Sequence, residues 1–199
     1  MKKIYITQSS DVGIQCHSWA KNIMRGDFQL VDNESDCQIL FSVFHNKIFT
    51  SDFISKRENC FNFHGGLLPS YRGSCTINWA ILNNEKETGV TLHQIDEGID
   101  TGSIIDIYKI PIEIDDTSGT VYSKLESTVF IMFKKWFLKL INNDFTSTPQ
   151  NQLHGTVYRK NDIESVKDLT RYVKAFDHDG KESAFYYNRS GKKIYLSYD

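Results

Sequence analysis

The sequence predicts an α/β protein, a doubly wound, mostly parallel sheet that ends in a small C-terminal β-hairpin. Three observations carry this. Strand-like and helix-like segments alternate from the N-terminus to about residue 95, the order expected of helices packed on a parallel sheet. The run CQILFSVF at 37–44 is almost continuously apolar over a strand's length, as befits a strand covered on both faces. Near the end, AFYY at 184–187 and KIYL at 193–196 flank the turn sequence Asn188-Arg189-Ser190-Gly191.

Each element follows from local pattern. KIYIT at 3–7 reads as the first strand, and 13–24 as a helix carrying Ile14, Trp19 and Ile23. After the 37–44 strand comes a short helix through Phe53 and Ile54. CFNFH at 60–64 is a strand of two characters: residues two apart share a face, so Asn62 and His64 are neighbours while Phe61 and Phe63 pack behind. Gly73-Ser74 offers an N-cap to a helix through Trp79 and Leu82, which Asn83-Asn84 ends. Residues 90–95 form a further strand. From Thr117 or Ser118 to about Ile141 runs a long amphipathic helix whose stripe of Val121, Leu125, Val129, Met132, Trp136 and Leu140 is a core face. Composition changes after 144, where TSTPQNQ at 146–152 reads as a linker. The main domain is therefore expected over 1–145, with an extension over 146–199.

Bulk properties narrow the function classes. At 199 residues and 40% hydrophobic, the chain can bury one sizeable core. A net charge of −2 and a pI of 6.3 give no electrostatic reason to expect a nucleic-acid partner. The first residues turn polar at Thr7-Gln8, too early for a secretory leader, and no apolar run reaches membrane-spanning length. Cysteines at 16, 37, 60 and 75 show neither a metal-type pairing nor disulfide density, which suits a reducing cytoplasm.

Two stretches carry chemistry. One is the Asn62–His64 pair, which runs straight into Gly65-Gly66. The other is QIDEGIDTG at 94–102, with Asp96, Glu97 and Asp100 interleaved with Gly98 and Gly102, a loop able to approach a ligand closely. Ligands of open parallel sheets gather beyond the carboxyl ends of strands, where His64 and Asp100 are both expected. A carboxylate stabilises a protonated histidine and fixes its ring, and an asparagine N–H can meet a developing oxyanion. Spacing alone leaves three readings open: a satisfied structural histidine beside a solvated turn, a general acid–base centre, or a metal site of His64, His93, Asp96 and Asp100.

FNFHGGLLPSYRG (61–73), NNEKETGVTLHQIDEGIDTGSII (83–105) and DDTSGTVYSKL (115–125) together resemble, in order and spacing, the folate-dependent formyltransferase family. The resemblance covers roughly residues 37–141. It implies a Rossmann-like, formyltransferase-type sheet, a catalytic triad of Asn62, His64 and Asp100, and no metal. It places Ile48, Gly66, Leu67, Leu68, Pro69 and Asp96 around the co-substrate N10-formyltetrahydrofolate. His64 would manage the protons of the attacking amine and departing nitrogen, Asn62 would bind the oxyanion, and Asp100 would raise the His64 pKa.

The C-terminal GTVYRK (155–160) and GKKIY (191–195) look like the nucleotide-sugar N-formyltransferase branch. The implied acceptor is a nucleotide-linked amino sugar, such as a dTDP-amino sugar for lipopolysaccharide, with Arg72 near a phosphate. Glycinamide ribonucleotide formyltransferases are the alternative, although QSSDVG at 8–13 does not match their phosphate loop. A formyltetrahydrofolate hydrolase and an inactive folate- or nucleotide-binding module are further readings. The part before Asn62 is short for the branch, as if a strand–helix unit were absent. Tyr186, Tyr187, Tyr195 and Tyr198 on a hairpin with little core of its own suggest a homodimer.

Overall fold

Strand β1 (Lys2–Ile6) buries Ile4 and Ile6 completely and forms the second position of a six-stranded sheet. The structure is a computed structural model that describes residues 1–151, 155–159, 169–179, 183–187 and 193–196. Beside β1 lie β2 (Phe28–Leu30) at the edge and β3 (Ile39–Val43) toward the centre, followed by β4 (Asn59–His64), all parallel. Two antiparallel strands, β6 (Glu87–Gln94) and β7 (Ile104–Pro111), complete the order β2-β1-β3-β4-β6-β7. All five residues of β3 are buried, as its unbroken apolar run requires. The sequence pattern does not single out β2 or β7. The first is three residues long, and the second is a half-exposed strand. Between β2 and β3 the chain makes one 3-10 turn, Glu34–Asp36.

Helix α1 (Asp11–Ile23) starts earlier than expected because Ser10 caps it, accepting from the Gly13 N–H at 3.2 Å. Helix α2 (Ser51–Ser55) is short. Helix α3 (Thr76–Leu82) is not capped by Gly73 or Ser74: both are drawn into β5 (Arg72–Gly73) and its neighbourhood, leaving Cys75 at the cap with φ 58° and no side-chain cap bond. Helix α4 (Ser118–Ile141) opens with a reciprocal Thr117–Thr120 capping box. Its expected stripe is buried except at Trp136, which sits at the core's margin and donates Nε1–H to Asp106 at 2.6 Å. Phe133 and Phe137 fill the place assigned to it.

The sheet is covered unequally. One face carries the main core, in which Phe133 meets Trp19, Phe41, Phe63 and Phe137 at centroid distances of 5.1 to 6.0 Å. Among the described residues, the other face has only a small cluster of Cys37, Leu40, Phe49 and Cys60, backed by Phe53 and Ile54 around α2. Strand β4 divides between them: Phe61 and Phe63 enter the main core, Cys60 the small cluster.

The segment read as a linker is bound to the sheet. Thr148 exchanges two 2.8 Å backbone hydrogen bonds with Ile104. Beyond it, β8 (Val157–Tyr158) pairs in parallel with β5. Helix α5 (Leu169–Ala175) packs near α3, and the Tyr172 hydroxyl donates to the Phe185 carbonyl at 3.3 Å, tying the hairpin to it. The hairpin itself is β9 (Phe185–Tyr187) with β10 (Lys193–Tyr195), antiparallel, with Tyr195 opposite Phe185. Its turn at 188–191, Tyr198 and the side chains of Tyr186 and Tyr187 lie outside the described residues. Among the described residues no helix is long and apolar enough to cross a membrane.

Phe133 is fully buried at the meeting point of sheet and helices. Phe133→Ala is expected to destabilise the fold by about 3–5 kcal/mol in urea denaturation. A loss below about 1 kcal/mol would show that this aromatic cluster is not the core's centre.

Candidate active site

Asn62 and His64 stand on the sparsely covered face of β4. Across from them in the β4–β6 register are His93 and Thr91, so four polar side chains form a patch on two strands. The expectation that His64 and Asp100 project past the same sheet edge needs correction. Strand β6 runs antiparallel to β4, and its carboxyl end emerges beside the start of β4, where Ile95 N–H bonds the Cys60 carbonyl at 2.8 Å. The 95–103 loop therefore folds back along β4 to deliver Asp100. It closes at Gly102, where any Cβ would run into the Gln94 carbonyl, and Asp100 takes φ 52°. Gln150 holds the returning loop, donating Nε2–H to the Asp100 and Gly102 carbonyls at 2.8 and 2.7 Å.

The loop brings the three residues together. Asp100 Oδ2 accepts the Gly73 N–H at 2.8 Å and lies 3.5 Å from His64 Nδ1. Its Oδ1 accepts from Asn62 Nδ2 at 3.3 Å and lies 3.5 Å from His93 Nε2. Asn62 Nδ2 also sits 3.1 Å from His93 Nε2. The Tyr71 carbonyl, which can only accept, is 2.6 Å from His64 Nε2, so that nitrogen carries a proton and Nδ1 is the exchangeable one.

Burial and charge oppose each other here. Burial would raise the Asp100 pKa, but the nearby rings of His93 and His64, each 3.5 Å away, and the Gly73 N–H hold it well below the usual carboxylate range. For His64, burial wins in the other direction. It lowers the pKa despite the pull of Asp100, with His93 adding to the fall. The expectation that Asp100 raises the His64 pKa describes one component, and the net shift is downward.

These groups line a cleft of about 1030 Å³. Its lining includes Ile48, Phe49 and the Asp96–Asp100 loop together with Tyr122, Tyr158 and Arg159. Ile48, 77% exposed, and Asp96 line the cleft. Asp96 is itself engaged, accepting from Gly98 N–H and Thr101 Oγ1–H at 3.1 and 2.6 Å. Gly66, Leu67, Leu68 and Pro69 do not line the cleft. They back His64: a Cβ on Gly66 would lie 2.8 Å from His64 Nε2, and the loop is pinned to Thr91, which bonds Leu68 N–H and the Gly66 carbonyl. Arg72 is also turned away. It is 5% exposed, packs its guanidinium under Gly155 and donates to Gln150 Oε1 at 3.1 Å. No group of three His, Cys, Asp or Glu side chains among the described residues is arranged to hold a metal ion.

Some site residues gave no signal in the sequence. Gln150 lies in a polar stretch that reads as a linker, and its role exists only because Thr148 is paired to β7. Tyr158 stands in a noticed motif, but its stack on Tyr71 at 4.9 Å and contact with Trp79 at 5.0 Å depend on β8 meeting β5.

Residues 22–134, more than half of the chain, match the family described as Formyl transferase. A bifunctional polymyxin resistance protein ArnA from Wigglesworthia glossinidia brevipalpis is 35% identical over 159 residues, which span 79% of this chain and 22% of that protein. An N-formyltransferase from Helicobacter canadensis, solved with folinic acid and dTDP-3-aminofucose, superposes with a TM-score of 0.74 at 28% identity, covering 88% of this chain and 81% of the other. A 4-N formyltransferase from Francisella tularensis gives 0.85 at 20% identity over 98% and 96% of the two chains, a likeness of fold. With its sequence match running through β4, β6 and the Asp100 loop, this chain belongs to the formyl transferase family.

Proposed function

We propose that the protein transfers the formyl group of N10-formyltetrahydrofolate to the amine of a nucleotide-linked amino sugar, in the cytoplasm, for a surface glycan such as lipopolysaccharide. The observation that carries this is the convergence of Asn62, His64 and Asp100 on the wall of one cleft of about 1030 Å³. The Helicobacter canadensis structure supports the choice of acceptor, since it was solved with a folate and a dTDP-amino sugar. The pterin end of the folate is assigned to the side bounded by Ile48 and the Asp96–Asp100 loop. The acceptor enters from the side of Tyr158, where Arg159, rather than the buried Arg72, is the cation for a phosphate.

The side chains then divide the work. Neutral His64 presents the Nδ1 lone pair and takes a proton from the amine as it attacks the formyl carbon. The imidazolium formed is held by Asp100, 3.5 Å away, and gives its proton to folate N10 as the bond from the formyl carbon to N10 breaks. Asn62 keeps one N–H on Asp100 and turns the other from the His93 Nε2 lone pair to the formyl oxygen as that oxygen gains charge. An anionic acceptor binds an N–H more strongly than a neutral one, so the exchange is favourable. No step needs a metal.

The decisive experiment incubates the purified chain with N10-formyltetrahydrofolate and dTDP-, UDP- or GDP-linked amino sugars. We expect formylation of one of these, abolished in His64→Ala and about a hundredfold slower in Asn62→Ala. Near-normal turnover in either variant removes the triad. Formylation of glycinamide ribonucleotide alone, or release of formate without any acceptor, overturns the acceptor.

The rate is expected to follow the neutral form of His64. Because burial holds its pKa below the ordinary 6.5, the rate should be flat at pH 7–8 and fall on acidification below that value. Asp100→Asn removes the larger of the two influences that raise the pKa, the other being the Tyr71 carbonyl, so its profile should shift to lower pH while turnover drops. A shift to higher pH would contradict the pairing.

The hairpin of β9 and β10 is proposed to support a homodimer, with Tyr195 59% exposed on it. Light scattering of the full chain and of a variant lacking residues 181–199 tests this. A monomeric parent, or a dimer unaffected by the deletion, ends the proposal.

A further inference from the structure

His93 lies outside the triad, yet it is among the most firmly held side chains of the cluster. It is 2% exposed and stands directly opposite Asn62, at the point where β6 slips register against β7. Such slips re-aim side chains. The Gln94 carbonyl, 2.7 Å from His93 Nδ1, can only accept, so Nδ1 carries a proton. Nε2 lies 3.1 Å from the Asn62 amide and farther, 3.5 Å, from Asp100 Oδ1, so its closer contact is that of a lone-pair acceptor. The Asn62 atom facing it at 3.1 Å also faces Asp100 Oδ1 at 3.3 Å, so two acceptors require that atom to be the amide nitrogen. Rotating the amide by half a turn would set its oxygen against a lone pair and a carboxylate together. With the His93 lone pair removed, only Asp100 would oppose that rotation.

We propose that His93 is a positioning residue for the formyl transfer proposed above: its Nε2 lone pair, together with Asp100, locks the Asn62 amide in one orientation and holds an N–H ready for the formyl oxygen. His93 does not touch the reacting atoms. It acts through Asn62.

The test compares His93→Leu, which fills similar space without an acceptor, with His93→Gln, whose amide oxygen can reach the place of Nε2. His93→Leu should lower kcat about tenfold, with KM for both substrates within about twofold, and His93→Gln should recover most of the loss. In the Asn62→Ala background, His93→Leu should cost less than about a further twofold, because its route is already removed. A readout independent of turnover is the ¹⁵N spectrum of the full chain labelled at histidine. His93 should show the Nδ1–H tautomer, and Asn62→Ala should move its Nε2 resonance. Unchanged kcat in His93→Leu, losses that add in the double variant, or an Nε2–H tautomer would overturn the proposal. Should His93→Leu fail to fold, His93→Gln and the spectrum decide it. If the wild-type chain formylates no acceptor, the functional reading fails while the spectrum still decides whether His93 holds Asn62.

Discussion

The Asp100 carboxylate is the hub on which the site depends. Its partners come from three separate elements: Gly73 of β5, Asn62 and His64 of β4, and His93 of β6. A buried carboxylate without such partners would be severely penalised, so the loop that carries it can settle only where they converge. That requirement explains the left-handed backbone at Asp100, the closure at Gly102 and the glutamine clasp from residue 150.

The opposing influences on His64 give the site its chemical character. A fully charged imidazolium beside Asp100 would be a poor base, and an imidazole with no carboxylate near it would make a poor imidazolium. Burial tips the resting state toward the neutral ring, and Asp100 remains close enough to stabilise the proton once it arrives. Gly66 contributes by what it lacks. A side chain there would press on the His64–Tyr71 hydrogen bond that fixes the ring.

The unequal cover of the sheet decides where a ligand can go. One face is sealed by α1 and α4 around a dense aromatic core, while the other has one small cluster and a helix of five residues. The cleft occupies what that thin layer leaves open. The segment after residue 145 then completes the wall, because β8 is laid along β5 and puts Tyr158 beside the cleft.

Much of this was legible in the sequence. The apolar run of β3 required a doubly covered strand, the alternation of β4 put Asn62 and His64 together and the phenylalanines behind, and the stripe of α4 marked a core helix, because side-chain period is a local property. Identity of residues at Asn62, His64 and the 96–102 loop was enough to raise acid–base chemistry. Other features depended on contacts that no local pattern encodes. The antiparallel direction of β6, which obliges the Asp100 loop to fold back, is a property of strand pairing. The burial of Arg72 and the retreat of Gly66–Pro69 behind His64 follow from which segments happen to cover them. The engagement of Gln150, in a stretch as polar as any linker, and the hold of His93 on Asn62 arise only when distant segments meet. Sequence determined which side chains share a face; tertiary structure decided which of those faces meet, because hydrogen-bond partners and burial belong to the assembled chain.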